Sequence, residues 1–163
     1  MQKAEYNNGF TLVEVLFGVI LVGISIACLV ATNITSTRAN SIAMNLSTAE
    51  FLTEQIRELT TLLPVIDPES GDDIFGPESG EILSTYDDVD DFDGANISPP
   101  ISSDREVLSD FSAFTQQVTV ENVTAVNFEQ VIPDHSSYFV RVTVEILLNS
   151  EPLYSVNWIR TQY

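Results

Sequence analysis

The run from Phe10 to Ala31, FTLVEVLFGVILVGISIACLVA, is 22 residues long, has no proline and carries one ionisable side chain, Glu14. As an α-helix rising about 1.5 Å per residue it is roughly 33 Å long, close to the ~30 Å hydrocarbon core of a bilayer. The run therefore reads as a single membrane span. It leaves the rest of a 163-residue chain, 44% hydrophobic overall, for one modest domain with a packed core. The glutamate is the anomaly. A charge at the bilayer centre costs at least about 2.5 kcal/mol, so an intramembrane carboxylate usually has a partner or a task. Glu14 stands near the N-terminal end of the run, where the helix dipole and interfacial water lower that cost.

Charge and residue usage exclude several classes. Lys and Arg total 6 against 24 Asp and Glu, a net charge of −18 that repels phosphate backbones, so no nucleic-acid partner is expected. The single cysteine, Cys28, lies inside the apolar run, which rules out an internal disulfide and a cysteine-based metal site. The one histidine, His135 in IPDHSS, reads as an exposed loop residue. There is no Gly-rich phosphate loop, no G-x-S-x-G and no His-based zinc spacing, and no enzymatic activity is expected. A secretory signal would need a basic leader, but Lys3 is offset by Glu5. A lipoprotein box at Ser25-Ile26-Ala27-Cys28 has serine at its first position and a charge within the apolar core that precedes it.

Beyond the span a helical rhythm continues. Ile42, Leu46, Ala49, Leu52, Ile56, Leu59 and Leu63 recur three or four residues apart, opposite Asn45, Thr48, Glu54 and Glu58, which predicts an amphipathic helix over 32–63. The β-branched stretch TNITST at 32–37 is weakly helical and is a place for a bend, and Pro64 and Pro68 stop the helix. From 67 to 104 the composition turns to Asp, Glu, Gly, Pro and Ser, which is loop chemistry, with a short strand expected around Glu81–Tyr86. Within it Asp87, Asp88, Asp90, Asp91 and Asp93 are hard oxygen ligands of the kind that hold Ca²⁺, although the EF-hand register fails at Val89 and Pro100. The alternative is a solvated loop pinned by Tyr86, Val89 and Phe92.

The segment 111–163 reads as strands. Phe114, Val118 and Val120 alternate with Thr115, Gln117, Thr119 and Glu121, and Val140, Val142, Val144 and Ile146 alternate with Arg141, Thr143 and Glu145. Asn149–Pro152 is a turn, and Tyr154, Val156 and Trp158 continue as a third strand. The expected architecture is α+β: a long N-terminal α-helix, its first half membrane-spanning, packed through its second half on a small antiparallel β-sheet.

The junction Gly9-Phe10-Thr11-Leu12-Val13-Glu14, behind the short polar leader MQKAEYNNG, resembles the prepilin-type signal of type IV pilins and pseudopilins. The resemblance covers about the first 30 residues. It implies that prepilin peptidase cuts between Gly9 and Phe10, removing residues 1–9, that Phe10 becomes an N-methylated terminus, and that Glu14 is an assembly residue. Cleavage would create an α-amino group on Phe10, and an amine and a carboxylate in an apolar filament core each need an opposite charge. The family pattern implies that Glu14 meets the amine of a neighbouring subunit and so sets axial register. Further along, YDDVDDFDG, FTQQVTVENV, VRVTVEI and NWIRT are similar to minor pilins related to that of the mannose-sensitive haemagglutinin pilus. The apolar helix has no proline and no cysteine pair closes a C-terminal loop, unlike well-known major pilins.

The resemblance implies a minor subunit inserted once in the inner membrane with its N-terminus in the cytoplasm, then assembled in, or priming, a filament in the periplasm or at the cell surface. Its partners would be other pilin or pseudopilin subunits, prepilin peptidase, the inner-membrane assembly platform and membrane lipid. Alternatives are a type II secretion pseudopilin, a DNA-uptake pilin and, in another class, a membrane-anchored calcium-binding protein.

Overall fold

A computed structural model describes residues 9–65 and 74–161. Residues 1–8, which make up most of the expected leader, and 66–73, which include Pro68, lie outside the described residues. The chain divides into two units, Met1–Met44 and Asn45–Tyr163.

In the first unit the apolar run is helical from Leu12, where α1 (Leu12–Thr61) opens, and every described residue up to Met44 is exposed. The TNITST stretch, a place for a bend by its composition, is helical throughout. The hydroxyls of Ser25, Thr32, Thr35 and Thr37 each donate to the carbonyl four residues back, at 2.8 to 3.0 Å, so these polar side chains are satisfied within the helix. An apolar helix with no buried face is long and apolar enough to cross a membrane once.

The second unit holds the end of α1, β1 (Asn96–Ile97), β2 (Phe114–Asn122), β3 (Phe139–Leu148) and β4 (Glu151–Thr161). The strands form one antiparallel sheet in the order β1-β2-β3-β4, so the α+β expectation holds. Alternation sets the buried face: Phe114, Val118 and Val120 of β2 and Val140, Val142, Val144 and Ile146 of β3 point inward, with Val118 opposite Val144 and Val120 opposite Val142. Ala49, Leu52, Ile56 and Leu59 of α1 fill the same core.

The expected stripe is correct from Ala49 onward and displaced before it. Ile42 is 59% exposed and Leu46 39% exposed, whereas Asn45 and Thr48, expected on the outer face, are half-buried. The buried line runs 45, 48/49, 52/53, 56 and 59/60, and Thr53 and Thr60 are accommodated by donating to the Ala49 and Ile56 carbonyls at 3.0 and 2.9 Å. Polar residues lie on the buried face because their hydroxyls close onto the helix itself.

Three long-range ties fix the helix to the sheet. Gln116, an inward residue of β2, donates to the Leu52 carbonyl at 2.9 Å. Arg160 of β4, paired across the sheet with Val140, donates to the Thr60 and Leu63 carbonyls at 2.5 and 2.9 Å and so caps the C-terminus of α1. Arg57 lies 4.8 Å from the centre of the Trp158 ring.

The β3–β4 hairpin turns through Asn149 and Ser150, both at positive φ (52° and 69°), as a two-residue primed turn requires. Pro152 therefore belongs to β4 and not to the turn, at the edge of the sheet beside an irregularity at Ile146/Leu147. The strand expected around Glu81–Tyr86 is absent. Those residues form successive turns, with Glu81 N–H donating to the Glu78 carbonyl and Thr85 N–H to the Ile82 carbonyl at 3.1 and 2.7 Å.

Candidate functional sites

The N-terminal site is built by the first turn of α1. Gly9 and Phe10 are exposed and precede the helix. Thr11 is the capping residue: its Oγ1 accepts from Glu14 N–H at 3.3 Å, while Glu14 Oε2 accepts from Thr11 N–H and from the Thr11 hydroxyl, both at 3.0 Å. This reciprocal pair is a capping box, readable in the sequence as T-x-x-E ahead of an apolar run. It gives Glu14 a local role besides that of a charge in need of a partner. The carboxylate closes the Thr11 N–H at the helix start and sits at the positive end of the helix dipole.

The second site is the turn Tyr86–Gly94. Its apolar residues pull it inward: Val89 and Phe92 are fully buried, and the Tyr86 ring packs edge-on against Phe92 at 5.1 Å. Backbone bonds hold it in place, Val89 N–H to the Pro64 carbonyl at 3.0 Å and Val118 N–H to the Ala95 carbonyl at 2.9 Å. Asp93 Oδ1 accepts from Val120 N–H at 2.8 Å, covering β2 where β1 has ended. Arg105 donates to the Ser84 carbonyl at 2.8 Å and to the Tyr86 carbonyl.

Docking the apolar residues drags the acidic ones along. Asp88, Asp90 and Asp91 are buried, at 1%, 1% and 0% exposure, so the turn is pinned as expected but not solvated. Ligand oxygens of Asp87, Asp88 and Asp91 lie within 4.8 Å of one another, and those of Glu78, Glu81 and Asp91 do the same. Asp91 belongs to both groups. Asp90 is in neither group, but its side chain meets that of Asp88, and its Oδ2 lies 3.5 Å from Nε2 of His135. The structure thus joins Asp87, Asp88 and Asp91 of the five expected aspartates, spends Asp93 on β2, and adds Glu78 and Glu81 from GPESGE, which sequence reasoning missed. His135, expected to be exposed, is half-buried against Asp90 and packs on Phe75 at 5.6 Å.

The electrostatics follow from the burial. Burial first, and the neighbouring Asp90 second, push the Asp88 carboxyl up to about 7. Burial raises Asp90 to about 6, and burial together with the Asp88 charge raises Asp91 to about 6. Glu78 rises to about 7, mainly through its hydrogen bond with Glu81. Carboxylates packed this closely cannot all stay ionised without a counter-charge.

In comparisons with known proteins the chain matches no family model, no curated protein and no solved structure.

Proposed function

We propose that the chain is a minor type IV pilin-like subunit, trimmed between Gly9 and Phe10 and assembled through its N-terminal helix into, or at the tip of, a filament. The observation that carries this reading is the junction: an exposed Gly9–Phe10 bond outside the helix, directly before a capped first turn that holds Glu14 and leads into an apolar helix with no buried face. A peptidase needs an accessible, non-helical bond. A filament core needs an apolar surface that the isolated subunit leaves uncovered.

The second unit is compatible with the same reading: it buries the end of α1 on one face of the sheet and ties that end to β4 through Arg160.

The test is intact mass and N-terminal peptide analysis of the protein from its native membrane. A mature chain starting at Phe10 with one added methyl group is expected. A chain still starting at Met1 refutes the reading and leaves a signal-anchored protein. Type II secretion and DNA-uptake filaments share this processing, and they separate by which system's assembly stalls when the gene is deleted.

A further inference from the structure

Two carboxylate oxygens in the Asp-rich turn are buried and have no hydrogen-bond partner, Oδ2 of Asp88 and Oδ1 of Asp91. Their companion oxygens are well used: Asp88 Oδ1 accepts from Asp91 N–H at 3.0 Å, and Asp91 Oδ2 accepts from the N–H groups of Asp87 and Asp88 at 2.9 and 3.3 Å. Both side chains are therefore held by the backbone, and the carboxyl groups within hydrogen-bonding reach of them are Asp90 for Asp88 and Glu81 for Asp91, so neither meets a positive charge. Among the described residues no Lys or Arg forms an ion pair with Asp87, Asp88 or Asp91. Arg105, which reaches this turn, gives its donors to backbone carbonyls. A buried, oriented, unpartnered carboxylate pair is unfavourable unless something positive sits between its oxygens.

We propose that the turn is a calcium site, with Asp87, Asp88 and Asp91 as its protein ligands and Glu78 and Glu81 as a further acidic wall beside Asp91. The proposal does not depend on the filament reading. Ca²⁺–oxygen distances of about 2.3–2.6 Å place two ligands of one ion up to about 5 Å apart, and the ligand oxygens of Asp87, Asp88 and Asp91 all lie within 4.8 Å of one another. The donors are all carboxylate oxygens, with no thiol and no imidazole among them, which favours a hard cation. Asp87 is exposed, so the ion has a way in from solvent and room for water ligands. Magnesium demands a tighter octahedron near 2.0–2.1 Å and fits a wide all-carboxylate cluster less well. The competing way to neutralise the cluster is with protons, which calcium would displace at neutral pH.

The experiment uses the full chain in detergent micelles, stripped with EGTA at pH 7.5 and titrated with CaCl₂ by calorimetry while near-ultraviolet circular dichroism follows thermal unfolding. One site is expected, with a rise in Tm of at least about 5 °C at about 2 mM calcium. Asp88→Asn with Asp91→Asn should abolish both signals without lowering the Tm measured in EGTA. If that pair fails to fold, exposed Asp87→Asn serves instead and should weaken binding at least about tenfold. No calcium-dependent shift, an equal shift with magnesium, or a full response in the foldable variant overturns the site.

Discussion

Replacing Gln116 with methionine isolates what the brace between helix and sheet contributes. Gln116 is fully buried; its Oε1 accepts from Ile101 N–H at 2.8 Å, and its Nε2 donates to the carbonyls of Ile101 and Leu52 at 3.1 and 2.9 Å. Ile101 faces Val107 across a bridge whose bonds run through its neighbours, Ser102 N–H to the Glu106 carbonyl and Leu108 N–H to the Pro100 carbonyl. Its own N–H and C=O are thus turned to Gln116. Methionine fills the space but leaves both Ile101 groups unsatisfied in a site where Ile101 is 2% exposed, at about 1–3 kcal/mol each. Leu52 lies mid-helix and keeps its helical partner, so its carbonyl adds little. Burying a thioether in place of an amide returns about 1 kcal/mol, which makes the net loss about 1–5 kcal/mol. For a unit of this size that is a fall in Tm of about 4–20 °C, read from Trp158 fluorescence during thermal unfolding of the detergent-solubilised chain. A fall below about 3 °C would show that the segment around Ile101 relaxes freely, and that Gln116 does not brace it.

Two further outcomes rest on separate contacts. Arg160→Met keeps the half-buried stem but uncaps α1 at Thr60 and Leu63, and should cost about 1.5–3 kcal/mol in urea unfolding; an unchanged midpoint would show those carbonyls are satisfied by water. In EGTA, stability should fall between about pH 4 and pH 7, because Asp88, raised to about 7, and Asp90 and Asp91, raised to about 6, retain protons that unfolded aspartates near 3.8 have already released. The groups facing them are Glu78, Glu81, Tyr86 and His135. Since folding raises these values, the stabilising protonation is complete below the unfolded value and is lost as pH rises through the folded ones. Asp88 alone accounts for a drop on the order of 3 kcal/mol and Asp90 and Asp91 add to it, and urea midpoints that rise over this range would refute it.

What can be read from the sequence divides along physical lines. Strands β2, β3 and β4 are legible because alternation is imposed by one buried face, and it survives in Val118/Val120 and Val140/Val142/Val144. Gln116 and Asn122 occupy the inward phase of the same strand, and a polar residue in an inward phase is itself a sign of a buried brace; Gln116 escapes notice when the apolar neighbours alone are counted. The two residues of β1 carry no periodicity and exist as a strand only through pairing with Gln116 and Gln117. The Asp-rich turn is the hardest to judge. Its composition signals solvent, yet two apolar residues, Val89 and Phe92, are enough to bury the aspartates beside them. Its further acidic residues, Glu78 and Glu81, come from a segment whose turns, unlike a strand, fold back toward Asp91.

The glutamate in the apolar run has one local explanation and one proposed intermolecular role, and geometry shows how to separate them. Both hydrogen bonds to Thr11 use Oε2 of Glu14, which caps the helix and leaves the other oxygen of an exposed carboxylate for a second partner. On the filament reading that partner is the Phe10 amine of a neighbouring subunit, and the pairing depends on charge. Glu14→Gln keeps a carbonyl oxygen able to accept from Thr11 N–H and removes the charge, while Thr11→Val removes the capping hydroxyl and keeps the charge. If register is set by the charge pair, Glu14→Gln subunits are inserted and trimmed at Gly9 but recovered in sheared filaments at least about tenfold less than wild type, whereas Thr11→Val subunits assemble. Immunoblots of membrane and sheared-filament fractions read both variants at once. Wild-type incorporation of Glu14→Gln alongside loss in Thr11→Val would assign Glu14 to the capping box alone, and the filament contact would have to be sought on the exposed apolar face of the helix.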